Sequence, residues 1–174
     1  MDNIRITSGN LRGRTICSPK SEWTHPMGAR EKLALFNMIA SELSGATVLD
    51  AFAGSGAVGI EAMSRGAKKV VFVEKNPKTA GIIRKNLANL GIDANVVIGD
   101  VAKFESDERF DIIIADPPYD NFEVQAVAYL TKYLKDGGVL VLSHPNEPPV
   151  IDDLKLTTSR KYAGATLSIY RKYP

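Results

Sequence analysis

Five short runs of apolar, largely β-branched residues recur through the middle of the chain, and they constrain its fold more than any other feature. They span 47–52, 69–74, 94–98, 111–115 and 139–142. Within each run the apolar residues are continuous rather than alternating, the pattern of strands buried on both faces of a sheet. Helical patterns separate them. One spans 57–65 and stops at Gly66. The next begins on Asn76-Pro77, an N-cap followed by proline at the first helical position, and ends near Leu90 at Gly91. A third, 122–134, precedes Asp136-Gly137-Gly138. Strands joined by helical crossovers specify right-handed βαβ units in a mostly parallel sheet. The expected class is therefore α/β, a twisted sheet with helices on both faces. A helix is expected over 29–43, and a final strand or hairpin over 162–170. Residues 1–25 carry Gly9, Gly13 and Pro19 with little apolar periodicity, and read as an extended arm or short hairpin. At 174 residues without repeats or linkers, 1–174 reads as a single domain, with the arm at 1–25 and the core at 29–174.

Composition removes several function classes. Cys17 is the single cysteine, so no internal disulfide is expected. With only His25 and His144 besides, no metal site is expected either. No apolar run approaches the roughly 18 residues of a membrane span. The first residues lack the apolar stretch of a secretory signal, so cytoplasmic residence, without a membrane partner, is expected. Net charge is only +2, from 22 basic and 20 acidic residues, but its distribution is uneven. Residues 1–20 carry four basic groups and one acid, and 155–174 carry five basic groups and no acid, which leaves −6 for the middle. Basic ends around an acidic centre are either solvated termini or phosphate contacts flanking a site.

The segment Asp50-Ala51-Phe52-Ala53-Gly54-Ser55-Gly56-Ala57-Val58-Gly59 places GxGxxG between a strand and a helix. Glycines allow a tight turn and close approach of a ligand, and the helix that follows presents free N–H groups. Glu74 closes the next strand, where an acid can accept from two ribose hydroxyls. NAD, FAD and S-adenosylmethionine all carry an adenosine that suits this architecture. Asp50 bears on the choice, because a carboxylate beside the turn repels a pyrophosphate but suits an ammonium or sulfonium group. Asp100, after the third strand, is either a turn residue or an acceptor for an adenine amino group.

Asp116-Pro117-Pro118-Tyr119 follows the fourth strand directly. Two prolines cannot continue a central strand, and they stiffen the turn. The Asp116 carboxylate and the Pro117 carbonyl can together accept both hydrogens of an amino group, and the Tyr119 ring can stack on a base. An exocyclic amine is a weak nucleophile because its lone pair is delocalised into the ring. Two acceptors that favour a tetrahedral nitrogen expose that pair to an in-line methyl group. Asp116 or a nearby water then takes the released proton.

Together these segments resemble class I S-adenosylmethionine-dependent amino-methyltransferases. The stretch Ile6-Thr7-Ser8-Gly9-Asn10-Leu11-Arg12-Gly13-Arg14, and 53–67, resemble the RsmD family, which methylates the N2 amine of a guanine in 16S ribosomal RNA. The resemblance runs from Ile4 to about Tyr170. It implies a Rossmann-like class I methyltransferase fold and cofactor roles for Asp50, Gly54, Gly56, Glu74 and Asp100. The neighbours Phe52, Ala53, Ser55, Lys75 and Val101 complete the candidate cofactor set. It also implies catalytic roles for Asp116, Pro117 and Tyr119, with Pro118 completing the turn. Arg12 and Arg14 would lie on an RNA-contacting arm, with Pro26 and Arg30 as further RNA contacts. The partner it implies is 16S rRNA or an assembling small subunit, bound by a monomer. The family shows Arg-Pro-Thr where His25-Pro26-Met27-Gly28 stands here, a departure that bears on substrate recognition. His144 and Trp23 read as a loop and a packing residue. Three alternatives remain at this point: an adenine-N6 methyltransferase acting on DNA or RNA, an NAD-dependent oxidoreductase in which Asp50 and the proline turn have no role, and a non-catalytic RNA-binding assembly factor.

Overall fold

A computed structural model describes residues 2–19 and 27–174. The chain opens with a hairpin, β1 (Asp2–Arg5) and β2 (Thr15–Ser18), paired antiparallel from Asp2 opposite Ser18 to Arg5 opposite Thr15. Then come α1 (Ala29–Met38), α2 (Ala40–Leu43), β3 (Thr47–Asp50), α3 (Ala57–Ser64), β4 (Lys69–Glu74), α4 (Pro77–Leu90), β5 (Asn95–Ile98) and β6 (Phe110–Ala115). The chain ends with α5 (Val124–Leu130), β7 (Leu134–His144), β8 (Leu154–Lys161) and β9 (Thr166–Lys172). Seven strands form one sheet in the order β5-β4-β3-β6-β7-β9-β8. The first five run parallel, and β9 and β8 add an antiparallel edge.

Successive residues of a strand face opposite sides, so each buried strand feeds two cores. Val48, Ile112 and Ile114 join α1, α3, α4 and the hairpin residues Ile6 and Ile16 on one side. Leu49, Ile113 and Leu140 join α5, Phe104 and Tyr133 on the other. That double burial is why the strands read as continuous apolar runs.

Local differences from expectation have local causes. The helical region at 29–43 breaks at Ile39, which leaves the helical region at φ −112° and divides it into α1 and α2. The helix expected over 122–134 is shorter, because residues 131–133 tighten into a 3₁₀ turn and Leu134 already opens β7. Asp136-Gly137-Gly138 does not stop that helix. It lies in a bulge of β7, where the register jumps from Phe110 opposite Leu134 to Ile112 opposite Val139. The expected final hairpin is present but starts earlier, at Leu154. Its first strand lies at the sheet edge and is mostly exposed, so it lacks the apolar signature of the central strands.

Candidate active site

The carboxyl ends of the five parallel strands meet along one edge of the sheet, and each delivers a polar side chain there. In sheet order these are Asp100 just after β5, Glu74 closing β4, Asp50 closing β3, Asp116 just after β6, and Ser143 near the end of β7. Strands lie about 4.8 Å apart, so the row spans about 19 Å. Crevices at the carboxyl ends of parallel strands are where open α/β sheets bind ligands.

The glycine turn connects β3 to α3. Gly56 caps α3 with φ +83°, a left-handed conformation that a side chain disfavours, and an added Cβ would press on Ile83 at 3.1 Å. Two acids hold the turn in shape. Asp50 is 3% exposed, and its Oδ2 accepts from the Gly59 N–H at 2.9 Å. Glu74 Oε2 accepts from the Gly54 N–H at 2.9 Å, and its Oε1 from the Asn76 N–H at 2.8 Å. Asn86 on α4 adds a third support by donating to the Ser55 carbonyl at 3.0 Å. Ala53 and Ser55 are buried and Phe52 is half-buried. Asp100 caps the short turn that begins at the buried Val101, with Oδ1 accepting from Ala102 N–H at 3.0 Å, and it pairs with Lys75 at 2.9 Å.

In the 116–119 turn, Pro117 is buried and Asp116 and Tyr119 are half-buried. Ser143 lies on the neighbouring strand, where it hydrogen-bonds the Tyr119 hydroxyl and lies close enough to the Asp116 carboxyl to lower its pKa. Glu31 on α1 lies close enough to raise the pKa of both groups. Sequence reasoning assigned no role to Ser143, Glu31 or Asn86. A lone serine in an apolar strand carries no motif, and only the register of β7 beside β6 brings it to the turn.

The electrostatics of this edge are unusual. Burial pushes Asp50 up to about 7, with Asp116 and Glu74 adding repulsion. Burial likewise pushes Asp116 up to about 6, with Glu31 adding to it and Ser143 opposing it. Among the described residues, no basic side chain pairs with Asp50, Glu74 or Asp116. Clustered acids without a protein cation suit a positively charged ligand. They disfavour a pyrophosphate. No group of three or more potential ligands is placed to hold a metal ion among the described residues.

The candidate RNA-contacting residues lie elsewhere. Arg12 is exposed in the hairpin loop, and Arg14 donates to the Asn89 carbonyl at the end of α4 at 2.9 Å. Arg30 is exposed on α1. Pro26, with Trp23 and His25, lies outside the described residues. His144 is not a loop residue. It is buried in β7, with Nε2 2.7 Å from the Ser168 hydroxyl. No described helix is long and apolar enough to cross a membrane.

Comparison with known proteins agrees with this layout. The model of the family described as "Conserved hypothetical protein 95" matches residues 4–171. Ribosomal RNA small subunit methyltransferase D of Haemophilus influenzae is 33% identical over 98% of this chain and 93% of its own length. The candidate rRNA methyltransferase YlbH of Bacillus subtilis is 32% identical over 97% of this chain and 99% of its own. Among solved structures, the candidate methyltransferase yhhF of Escherichia coli superposes with a TM-score of 0.88 at 28% identity, covering 99% of this chain and 100% of that one. With the family model spanning nearly its whole length and the carboxyl-edge acids in place, this chain belongs to the conserved hypothetical protein 95 family, the RsmD methyltransferases.

Proposed function

We propose that this protein transfers a methyl group from S-adenosylmethionine to the N2 amine of a guanine in 16S ribosomal RNA, acting in the cytoplasm as a monomer. The observation that carries the reading is the edge where the Asp116 turn and the glycine turn lie on neighbouring strands, β6 and β3, with three acids and no protein cation between them. The small-subunit rRNA relative at 33% identity supports the substrate class, and the guanine target follows from the family resemblance.

S-adenosylmethionine supplies an electrophilic methyl on a positively charged sulfur. Glu74 and Asp100 are the residues that would hold its adenosine. Their hydrogen bonds to Gly54, Asn76, Ala102 and Lys75 fix their orientation, and each carboxylate keeps lone pairs for a ribose hydroxyl or an amino group. Asp50 holds the glycine turn through Gly59 and would contribute negative charge for the cofactor's cationic end. The buried and half-buried residues Phe52, Ala53, Ser55 and Val101 would line the same edge, with Gly54 and Gly56 giving close backbone approach.

Asp116 and the Pro117 carbonyl would accept the two amine hydrogens and so expose the nitrogen lone pair for attack. Tyr119, anchored at its hydroxyl by Ser143, offers its ring to the base. Pro118 keeps the turn stiff. Positioning and orientation supply most of the acceleration, and Asp116 or water removes the proton afterwards. Arg12, Arg14 and Arg30 contribute positive charge for the RNA backbone, with Pro26 four residues before Arg30 in the chain.

The test is to incubate the protein with methyl-labelled S-adenosylmethionine and ribosomal RNA, free and as assembled small subunits, and to map the product base. Label on guanine N2 of 16S RNA is expected. Label on an adenine N6 would replace guanine by the adenine reading. RNA binding without transfer would favour an assembly factor.

A further inference from the structure

We propose that the outward face of α4, with Lys78 and Lys85 at its centre, forms one continuous phosphate-binding surface with the N-terminal hairpin, against which the RNA strand lies. This rests on the reading of the chain as an RNA methyltransferase.

The first observation is local charge. Residues 21–154 sum to −6, yet α4 contains Lys78, Arg84 and Lys85 and no acid. A helix tuned only for solubility is commonly laced with opposite charges at i and i+4, and that pattern is missing here. The second is placement. Positions 78, 82, 85 and 89 fall within one narrow stripe of a 3.6-residue helix. Lys78, Lys85 and Asn89 are exposed and Ile82 is half-buried, so the stripe faces outward. Among the described residues, neither Lys78 nor Lys85 forms an ion pair. Arg84 points off the stripe and donates to the Val96 carbonyl.

The third observation ties the stripe to the hairpin. Arg14 bonds the Asn89 carbonyl, placing its guanidinium at the C-terminal end of the stripe, and Arg12 is exposed in the same hairpin loop. The buried Asn86, one position after Lys85, accepts from Cys17 N–H at 2.9 Å and donates to the Cys17 carbonyl at 2.8 Å and the Ser55 carbonyl at 3.0 Å. One side chain thus clamps β2 to α4 and α4 to the glycine turn. Arm and helix form a rigid unit, and the surface runs from just after Glu74 down to the hairpin loop. Lys78 and Lys85 are about 10 Å apart along the helix axis, the rise of roughly three phosphates of a nucleic-acid strand.

The experiment measures binding of small-subunit ribosomal RNA by Lys78→Glu/Lys85→Glu across a salt series, beside the unaltered protein and Lys68→Glu. Lys68 is exposed before β4, at the opposite end of the sheet from the acidic row. Each lost phosphate contact lowers the salt slope by about 1, so the double variant should lose about 2 and bind at least about tenfold more weakly at low salt. Lys68→Glu should leave both unchanged. Calorimetric S-adenosylmethionine affinity and the melting temperature should be unaltered in all variants, which excludes misfolding, and Lys78→Gln/Lys85→Gln should give an intermediate loss. An unchanged slope in the double variant, or an equal loss in Lys68→Glu, overturns the proposal while leaving the enzymatic reading intact. Failure of the unaltered protein to bind RNA overturns both.

Discussion

Two sets of carboxylates, one within α3 and one at the carboxyl edge of the sheet, have opposite environments. Glu61, within α3, is fully buried and surrounded by donors. Its oxygens accept from Thr7 N–H at 3.1 Å, Thr7 hydroxyl at 2.7 Å and Ser8 N–H at 3.0 Å. They also pair with Lys32 at 3.2 Å and Arg65 at 3.1 Å. Those donors outweigh burial and hold its carboxyl below the usual range. Asp50 and Asp116, at the carboxyl edge, are raised by burial and face other acids. A buried acid matched by donors is a strut, here fastening the hairpin loop and α1 to α3. Acids left without a cation at the sheet edge store unfavourable charge, which a cationic ligand would relieve, the pattern expected of a site rather than a support.

The contrast can be broken most forcefully at Asp116. Asp116→Ala should lower single-turnover methyl transfer by about 10²–10⁴-fold while leaving S-adenosylmethionine binding nearly intact. A loss confined to stability, with transfer by the folded protein unchanged, would move Asp116 into the role of a strut. At the strut the effect should fall on stability. Glu61→Ala leaves Lys32 buried without its partner and should cost about 3–5 kcal/mol in denaturant unfolding. Because the folded carboxyl of Glu61 titrates below its ordinary value of 4.5, its contribution is present above that pH and is lost as the pH falls further. A variant within 1 kcal/mol of the parent would remove the distinction.

Asp50 has the opposite sign. Its carboxyl is raised from 3.8 to about 7, so its favourable contribution is complete below pH 4 and is lost as pH rises through 7. Asp50→Asn keeps an acceptor for Gly59 and should therefore stabilise the cofactor-free protein at pH 8, by on the order of 2–3 kcal/mol, with little effect at pH 4. Thermal melts at the two pH values read this directly, and destabilisation at pH 8 would contradict it. The smallest effect concerns Ser143. Its hydroxyl opposes the upward shift of Asp116, so Ser143→Ala should move the acid limb of the transfer rate upward from about pH 6 by about one pH unit. Ser143→Thr should restore it. An unmoved limb would leave Ser143 a packing residue.

Much of this edge was legible in the sequence. The β-branched runs, the Asn76-Pro77 helix start and the Gly91 stop located the central elements, because local propensity and double-sided burial agree there. Glu74, Asp50 and Asp116 were legible because each follows directly from the end of such a run. Ser143, Glu31, Asn86 and Glu61 were not. Their roles come from contacts across sheet register or between elements distant in sequence, as with Glu61 and Thr7, 54 residues apart. The bulge at Asp136-Gly137-Gly138 misled for a related reason: the same glycines that stop a helix also allow a strand to bulge.

The most direct measurement is a calorimetric titration of the protein at pH 8 with S-adenosylmethionine and, separately, with NAD. The acids without a basic partner, Asp50, Glu74 and Asp116, predict saturable binding of S-adenosylmethionine at one site and no binding of NAD, whose pyrophosphate would meet Asp50 and its neighbours. Binding of NAD, or no binding of S-adenosylmethionine, would contradict the account.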